Sequence, residues 1–189
     1  MFNETIFGIG ISKFNLTGID NERICEEVKY YSTNPNNNPI SKRSIKNNNQ
    51  YFSKLNKVVL DQSQNILSGI TSNPNLKAIF KRMWGNHNLN DDICHPHTHR
   101  DSFLSAVYYP KSTDGRLQFY CPWMDLMLAH ISVHNITESF NQYNSTHYEV
   151  VVKTGDLVIF PAMLPHMVIP TNNERFSVAY DIGVKNGSI

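Results

Sequence analysis

The stretch GDLVIFPAMLPHMVIPTNNERFSVAYDI, residues 155–182, decides how the whole chain is read. A Gly-Asp turn leads into the apolar run Leu157–Phe160, a bend bounded by Pro161 and Pro165 follows, and His166 heads a second apolar segment. After the polar turn at 171–174, alternation places Arg175, Ser177 and Ala179 on one face of a further strand. A cation and a hydroxyl spaced in this way, directed into a barrel, form a clamp for a carboxylate. In a barrel, a histidine at the head of a strand can face a strand that comes much earlier in the chain.

Working outward, residues from about Met83 onward form short segments rich in Val, Ile, Tyr and Phe, separated by turn residues: FLSAVYY, STDG, RLQFYC, HYEVVV, KTG and DLVIF. Five or six strands joined by tight turns predict a mainly β chain, a sandwich or barrel. The N-terminal part reads differently. Residues 5–14 suit a first strand, and Ile24, Val28 and Tyr31 recur at helical spacing behind the capping residues Asp20 and Asn21. Residues 33–50, rich in Asn, Pro, Ser and Lys, predict a long loop. In 57–86 the spacing of Ile66, Leu67, Ile70, Leu76, Ile79 and Phe80 predicts a helix pair interrupted by SNPN. No composition break asks for two domains, so 1–189 is expected to form one domain, with 1–82 supporting a β core at 83–182.

The second unusual stretch is DDICHPHTHRD, residues 91–101, where His95, His97, His99 and Asp101 fall on alternate positions. Extended backbone can turn all four to one side. A catalytic mononuclear metal needs two or three imidazole or carboxylate ligands on one side and an open opposite side. The remaining ligand must come from elsewhere, and His166 is the best candidate.

Composition narrows the alternatives. At 189 residues the chain can bury a core without disulfides or a structural metal, so a metal would serve chemistry. Lys and Arg number 17 against 16 Asp and Glu, giving a net charge of +1, and no basic block stands out. Neither a nucleic-acid surface nor a membrane patch is indicated. The N-terminus lacks a signal-peptide pattern and no apolar run reaches the roughly 18 residues of a span, so a cytoplasmic protein is expected. Cys25, Cys94 and Cys121 include no CxxC pair, in keeping with a reducing compartment, and Cys94 is expected to be a small buried apolar side chain.

These spaced elements also carry a resemblance. Trp84 and Asn86, then His97, His99 and Ser102, then Ser105–Tyr109 with Ala106 in place of a glycine, then Phe160, Pro161, His166, Arg175 and Ser177 resemble the iron(II)- and 2-oxoglutarate-dependent oxygenases. The pattern is closest to the small oxygenases of bacteria and phages, over about residues 83–182, and the His166 to Arg175 interval is similar to that of prolyl hydroxylases. The resemblance implies a double-stranded β-helix, a cupin-like jelly roll buttressed by N-terminal helices, in a bacterial or phage-infected cell. It implies Fe(II) as metal, O2 and 2-oxoglutarate as co-substrates, ascorbate as a stimulant, and hydroxylation of an aliphatic C–H bond with release of succinate and CO2. Arg175 and Ser177 would hold the oxo acid's C5 carboxylate, Tyr109 would donate its hydroxyl or pack in the core, and Leu117 and Val168 would wall the pocket.

Two ligand sets remain. In one, His97, His99 and His166 bind iron, following the H-x-H of the similar family. In the other, His99 and Asp101 form the H-x-D pair usual in the superfamily and His97 contacts the substrate. Only four positions separate Asp101 from Ser105, which favours the first. His95 is expected in a loop or behind the ligands, and His87, His130, His134 and His147 as ordinary surface residues. Residues 121–146 are read equally as a flap over the site or as a packed loop; the prime substrate, a peptide, protein or amino-acid-like molecule, is not specified. Two rivals remain: a cupin-type three-histidine dioxygenase that uses no 2-oxoglutarate, and a non-catalytic, metal-containing β-sandwich binding module.

Overall fold

The computed structural model describes residues 8–33, 45–46, 48–89, 92–125, 128 and 145–187. Most of the expected loop at 33–50, most of the flap candidate at 121–146 with His130 and His134, and the start of the strand expected at 5–14 lie outside these residues. The described chain runs β1 (Ser12–Asn15), α1 (Asn21–Thr33), α2 (Ser53–Ile70), β2 (Leu76–Asn88), β3 (Cys94–His97), β4 (Leu104–Lys111), β5 (Gly115–Tyr120), β6 (His147–Val152), β7 (Asp156–Pro161), β8 (His166–Ile169) and β9 (Arg175–Asn186). Two antiparallel sheets form, a major one in the order β1-β7-β4-β9-β2 and a minor one in the order β3-β8-β5-β6. Strands distant in sequence lie side by side, as the jelly roll expected from the resemblance requires.

The major sheet is buried on both faces. Leu104, Ala106 and Tyr108 of β4, and Phe176, Val178, Tyr180 and Ile182 of β9, pack with Ile24, Val28, Leu55 and Val59 of the two helices. On the other face Tyr109, Val158 and Phe160 pack with Leu117 and Phe119 of the minor sheet. Burial on both sides explains why Leu157–Phe160 reads as an unbroken apolar run, since alternate residues enter different cores. Helices and sheet are also tied by polar contacts. The Tyr108 hydroxyl donates to Asn21 Oδ1 at 2.5 Å and the Tyr180 hydroxyl to Asn56 Oδ1 at 3.1 Å. Helix α1 begins where the capping residues place it, with Arg23 N–H donating to Asp20 Oδ1 at 3.1 Å.

The helix pair expected across 57–86 is half correct. Helix α2 ends at Ile70, and Leu76–Asn88 is a strand paired along its length with β9. An apolar residue on the outer face explains the misreading: Ile79 is exposed, yet with Leu76 and Phe80 it gives the spacing of three and four that imitates a helix. A bulge follows between Phe80 and Arg82. Before it, Ala78 and Phe80 pack on the helix side; after it, Met83 is the residue buried there. One extra residue switches the inward parity from even to odd. The strand therefore crosses the expected boundary at 82/83.

Gly85 lies where β2 approaches α1 most closely: a Cβ there would stand 2.9 Å and 3.0 Å from the two Val28 methyl carbons. Gly85→Ala is expected to lower stability by about 1–3 kcal/mol through overpacking, measured by urea unfolding. In the Val28→Ala background the added methyl should cost less.

At the other edge, Asp156 opens β7 and holds β1 in place. Its carboxylate accepts from Lys153 N–H at 2.8 Å and Asn15 Nδ2 at 3.1 Å, and lies 2.8 Å from Lys13 Nζ. Burial works against the charge, but these donors outweigh it and hold the carboxyl below its usual range. Because the folded carboxyl is the more acidic, its contribution is present above the ordinary Asp pKa of about 3.9 and is lost as pH falls through the lower folded value. Asp156→Asn should lower the melting temperature at neutral pH and flatten its decline below about pH 4, as thermal melts across acid pH would show.

Candidate metal and oxo-acid site

Strand β3 pairs with β8 so that His97 stands directly opposite His166, and the chain then turns so that His99 N–H donates to Ala162 O at 2.9 Å. Residues nearly seventy positions apart in sequence are thereby set side by side. One ring nitrogen from each of His97, His99 and His166 lies within 4.8 Å of the others, and ring centroids are 4.4 Å apart for His97 and His166 and 5.2 Å for His99 and His166.

The opposite nitrogen of each ring is already engaged. Nδ1 of His97 lies 2.7 Å from the carbonyl of His95, and Nδ1 of His166 lies 2.8 Å from that of Leu164. Nδ1 of His99 lies 2.9 Å from Asp181 Oδ1. Carbonyl oxygens only accept, so in His97 and His166 Nδ1 carries the proton and the lone pair sits on Nε2. Metal-binding imidazoles are held in this way in general. His166 is deeply buried, and burial together with repulsion from His97 and His99 pushes its pKa down to about 4, against the support of the Leu164 carbonyl. It is neutral at physiological pH, the form a metal requires. His97 is shifted upward, first by its contact with Cys94, whose Sγ lies 3.8 Å from Nδ1. Cys94 is half-buried at the cavity wall, where the expectation was full burial.

Asp101 is not among this group. It is exposed, and its backbone carbonyl accepts from Lys81 Nζ. The expected turning of all four alternate residues to one side fails because the extended backbone ends at His97. His95 is exposed and contributes its carbonyl. His87 stacks on Phe176 at 4.2 Å and lies 2.8 Å from Glu174, and His147 is exposed at the start of β6.

The imidazoles open onto a cavity of about 180 Å³ between the sheets. Register sets residues of three strands of the major sheet in rungs along its wall: Trp84, Ala179 and Val107 in one, then Asn86 with Ser177, then Asn88 with Arg175; the preceding rung, Arg82, Asp181 and Ser105, gives the wall only Ser105. Small side chains at 105, 177 and 179 leave the space. Tyr109, Leu117, Val168, Arg175 and Ser177 all line the cavity together with the three histidines. Leu117 and Val168 are register partners on β5 and β8.

Three buried polar atoms here have no hydrogen-bond partner among the described residues: Arg175 Nε, the Tyr109 hydroxyl and Ser105 Oγ. Arg175 is 2 % exposed and donates from Nη1 to Ile169 O at 3.2 Å, with no acidic partner among the described residues. Burial lowers its pKa and raises that of Tyr109, each by disfavouring the charged form. A buried guanidinium without a counterion is a strong electrostatic demand for an anion. The cradle fits a small dicarboxylic oxo acid: a cation and a hydroxyl at one end, an apolar wall, and three imidazoles that could hold a metal ion at the other.

Asp181 and its partner Arg82 were not singled out from sequence. Asp181 continues the alternation of Arg175, Ser177 and Ala179, which could have flagged it. Arg82 is displaced from the simple alternation of β2 by the bulge beside it.

A sequence profile of the family described as "Putative 2OG-Fe(II) oxygenase" matches residues 82–181. No curated protein sequence is significantly similar. Among solved structures, a Pseudomonas putida prolyl-4-hydroxylase is 15% identical with a TM-score of 0.59, covering 93% of this chain and 88% of that one. HygX from Streptomyces hygroscopicus, with nickel and 2-oxoglutarate bound, is 13% identical with a TM-score of 0.60, covering 93% and 82%. A non-heme monooxygenase, the ThoJ nickel complex, is 12% identical with a TM-score of 0.61, covering 95% and 77%. At these identities the likeness is one of fold.

Proposed function

Since the chain belongs to the 2OG-Fe(II) oxygenase family, we propose that it is an Fe(II)- and 2-oxoglutarate-dependent dioxygenase that hydroxylates an aliphatic C–H bond of a peptide, protein or amino-acid-like substrate. The observation that carries this reading is Arg175, a buried cation without an acidic partner among the described residues, facing the same cavity as three lone-pair-bearing imidazoles.

In this reading His97, His99 and His166 hold the metal, while Arg175 and Ser177 bind the C5 carboxylate of 2-oxoglutarate with Tyr109 donating its hydroxyl. Leu117 and Val168 pack along the methylene carbons of the oxo acid and exclude water. When bound, iron and the oxo acid supply the oxygen chemistry, one atom of O2 entering succinate as CO2 leaves and the other entering the product. Trp84, with its ring centroid 5.7 Å from that of His99, and Asn86 border the side left for the prime substrate. The whole chain 1–189 acts as one oxygenase domain, with 1–82 as its support. Three cysteines that form no disulfide fit a reducing setting such as the cytoplasm. No described helix is long and apolar enough to cross a membrane.

The all-imidazole set favours one second reading, a cupin-type three-histidine dioxygenase that uses no oxo acid. Anaerobic addition of 2-oxoglutarate to the iron-loaded protein, followed by exposure to air with ascorbate present, separates the two. A visible charge-transfer band and slow release of succinate are expected. Bound iron with neither signal would overturn the proposal.

A further inference from the structure

Three neutral histidines bring no negative charge to a divalent metal, and the same cavity already holds the cation of Arg175. Among the described cavity-lining residues the one acid is Asp92, exposed at the mouth. Asp181 lies behind His99, fully buried. Its Oδ2 is held by Arg82, 2.6 Å from Nε and 2.5 Å from Nη2, while Oδ1 lies 2.9 Å from His99 Nδ1, in ion-pair contact but off hydrogen-bond alignment, and no other described group donates to it.

Resting on the three-histidine reading above, we propose that Asp181 is a positioning residue for this metal centre: it fixes His99 with Nε2 toward the metal and supplies, through the ring, the negative charge that no ligand provides. Arg82 is mostly exposed on its own account and has no need of a buried acid, so the pair is not explained by solvation of the arginine. A carboxylate withdrawn from water is retained only where its partners repay the desolvation. Here one partner is Arg82 and the other is a candidate ligand. Strand register sets Arg82, Asp181 and Ser105 side by side, which places Asp181 between Arg82 and the ring of His99. A carboxylate behind a metal-bound imidazole makes the ring a stronger donor and holds its orientation.

The test is titration of the metal-free protein with cobalt(II). Asp181→Asn keeps the shape and an accepting oxygen but removes the charge; it should weaken cobalt affinity ~10–100-fold and shift the visible ligand-field spectrum. A merely structural aspartate would move the melting temperature of the metal-free protein and leave affinity and spectrum alone, and that result overturns the proposal. His99→Ala and His166→Ala run in parallel. If both bind cobalt like the wild type, the three-histidine reading fails and the role of Asp181 with it; if both lose binding while Asp181→Asn does not, only the role of Asp181 fails. Should Asp181→Asn not fold, ¹⁵N NMR of the wild-type, metal-free protein at mildly alkaline pH decides: His99 as the Nδ1–H tautomer supports the proposal, and the Nε2–H tautomer overturns it.

Discussion

His99→Ala is expected to weaken ferrous iron binding by ~100-fold or more, about 2.7 kcal/mol, whereas Asp101→Ala stays within about threefold of the wild type. The two residues lie two positions apart in the same short stretch; sequence alone keeps His99 as a ligand in either set and leaves open whether His97 or Asp101 joins it. Their surroundings differ. His99 is mostly buried, its backbone N–H is fixed by Ala162, and its ring stands 5.2 Å from that of His166. Asp101 sits beyond the end of β3, exposed to solvent, with its backbone carbonyl held by Lys81. Losing one imidazole of three removes a coordinate bond and unbalances the remaining pair, while losing an exposed carboxylate removes only a screened charge. Calorimetric titration of the metal-free variants under anaerobic conditions measures both. Loss of iron with Asp101→Ala as well as with His99→Ala would replace the three-histidine set with the His99 and Asp101 pair.

The second large effect concerns Arg175. Arg175→Met should raise the KM for 2-oxoglutarate by ~30-fold or more, about 2 kcal/mol or above, because truncating one partner of a buried ion pair leaves the other unpaired. Iron affinity should remain, since Arg175 sits at the far end of the cavity wall from the imidazoles, on the rung with Asn88. The stability of the ligand-free protein provides an independent sign. Arg175 is buried with no acidic partner among the described residues, so replacing it by an apolar side chain of similar length relieves an uncompensated charge. The melting temperature of the metal-free, oxo-acid-free variant should hold or rise. An arginine whose role is structural gives the opposite, a fall in melting temperature with KM unchanged. Arg175→Lys should recover part of the affinity, because an ammonium retains the charge but not the forked geometry.

How much of this was legible before the fold was known varies by element. The strands from β4 to β9 announce themselves through β-branched and aromatic runs between tight turns, and the cap at Asp20 places α1. Strand β2 does not, because the exposed Ile79 gives Leu76, Ile79 and Phe80 the spacing of a helix face although Ile79 points away from the other two. In the site, alternation on β9 put Arg175 and Ser177 together, and the same rule extended by four residues reaches Asp181. Its significance was invisible without knowing that Arg82 and His99 flank it.

The amino-acid sequence by itself determined which chemistry this chain carries: a cluster of imidazoles, a distant histidine, and a cation with a hydroxyl two positions on, in strands whose turns and periods are local properties of the backbone. Tertiary structure alone decided which of those groups meet. The pairing of His97 with His166, the turn that sets His99 beside them and leaves Asp101 in solvent, and the burial of Asp181 between Arg82 and His99 all depend on register between strands distant in sequence. Local periodicity says which face a side chain takes; only the pairing of strands says what lies opposite.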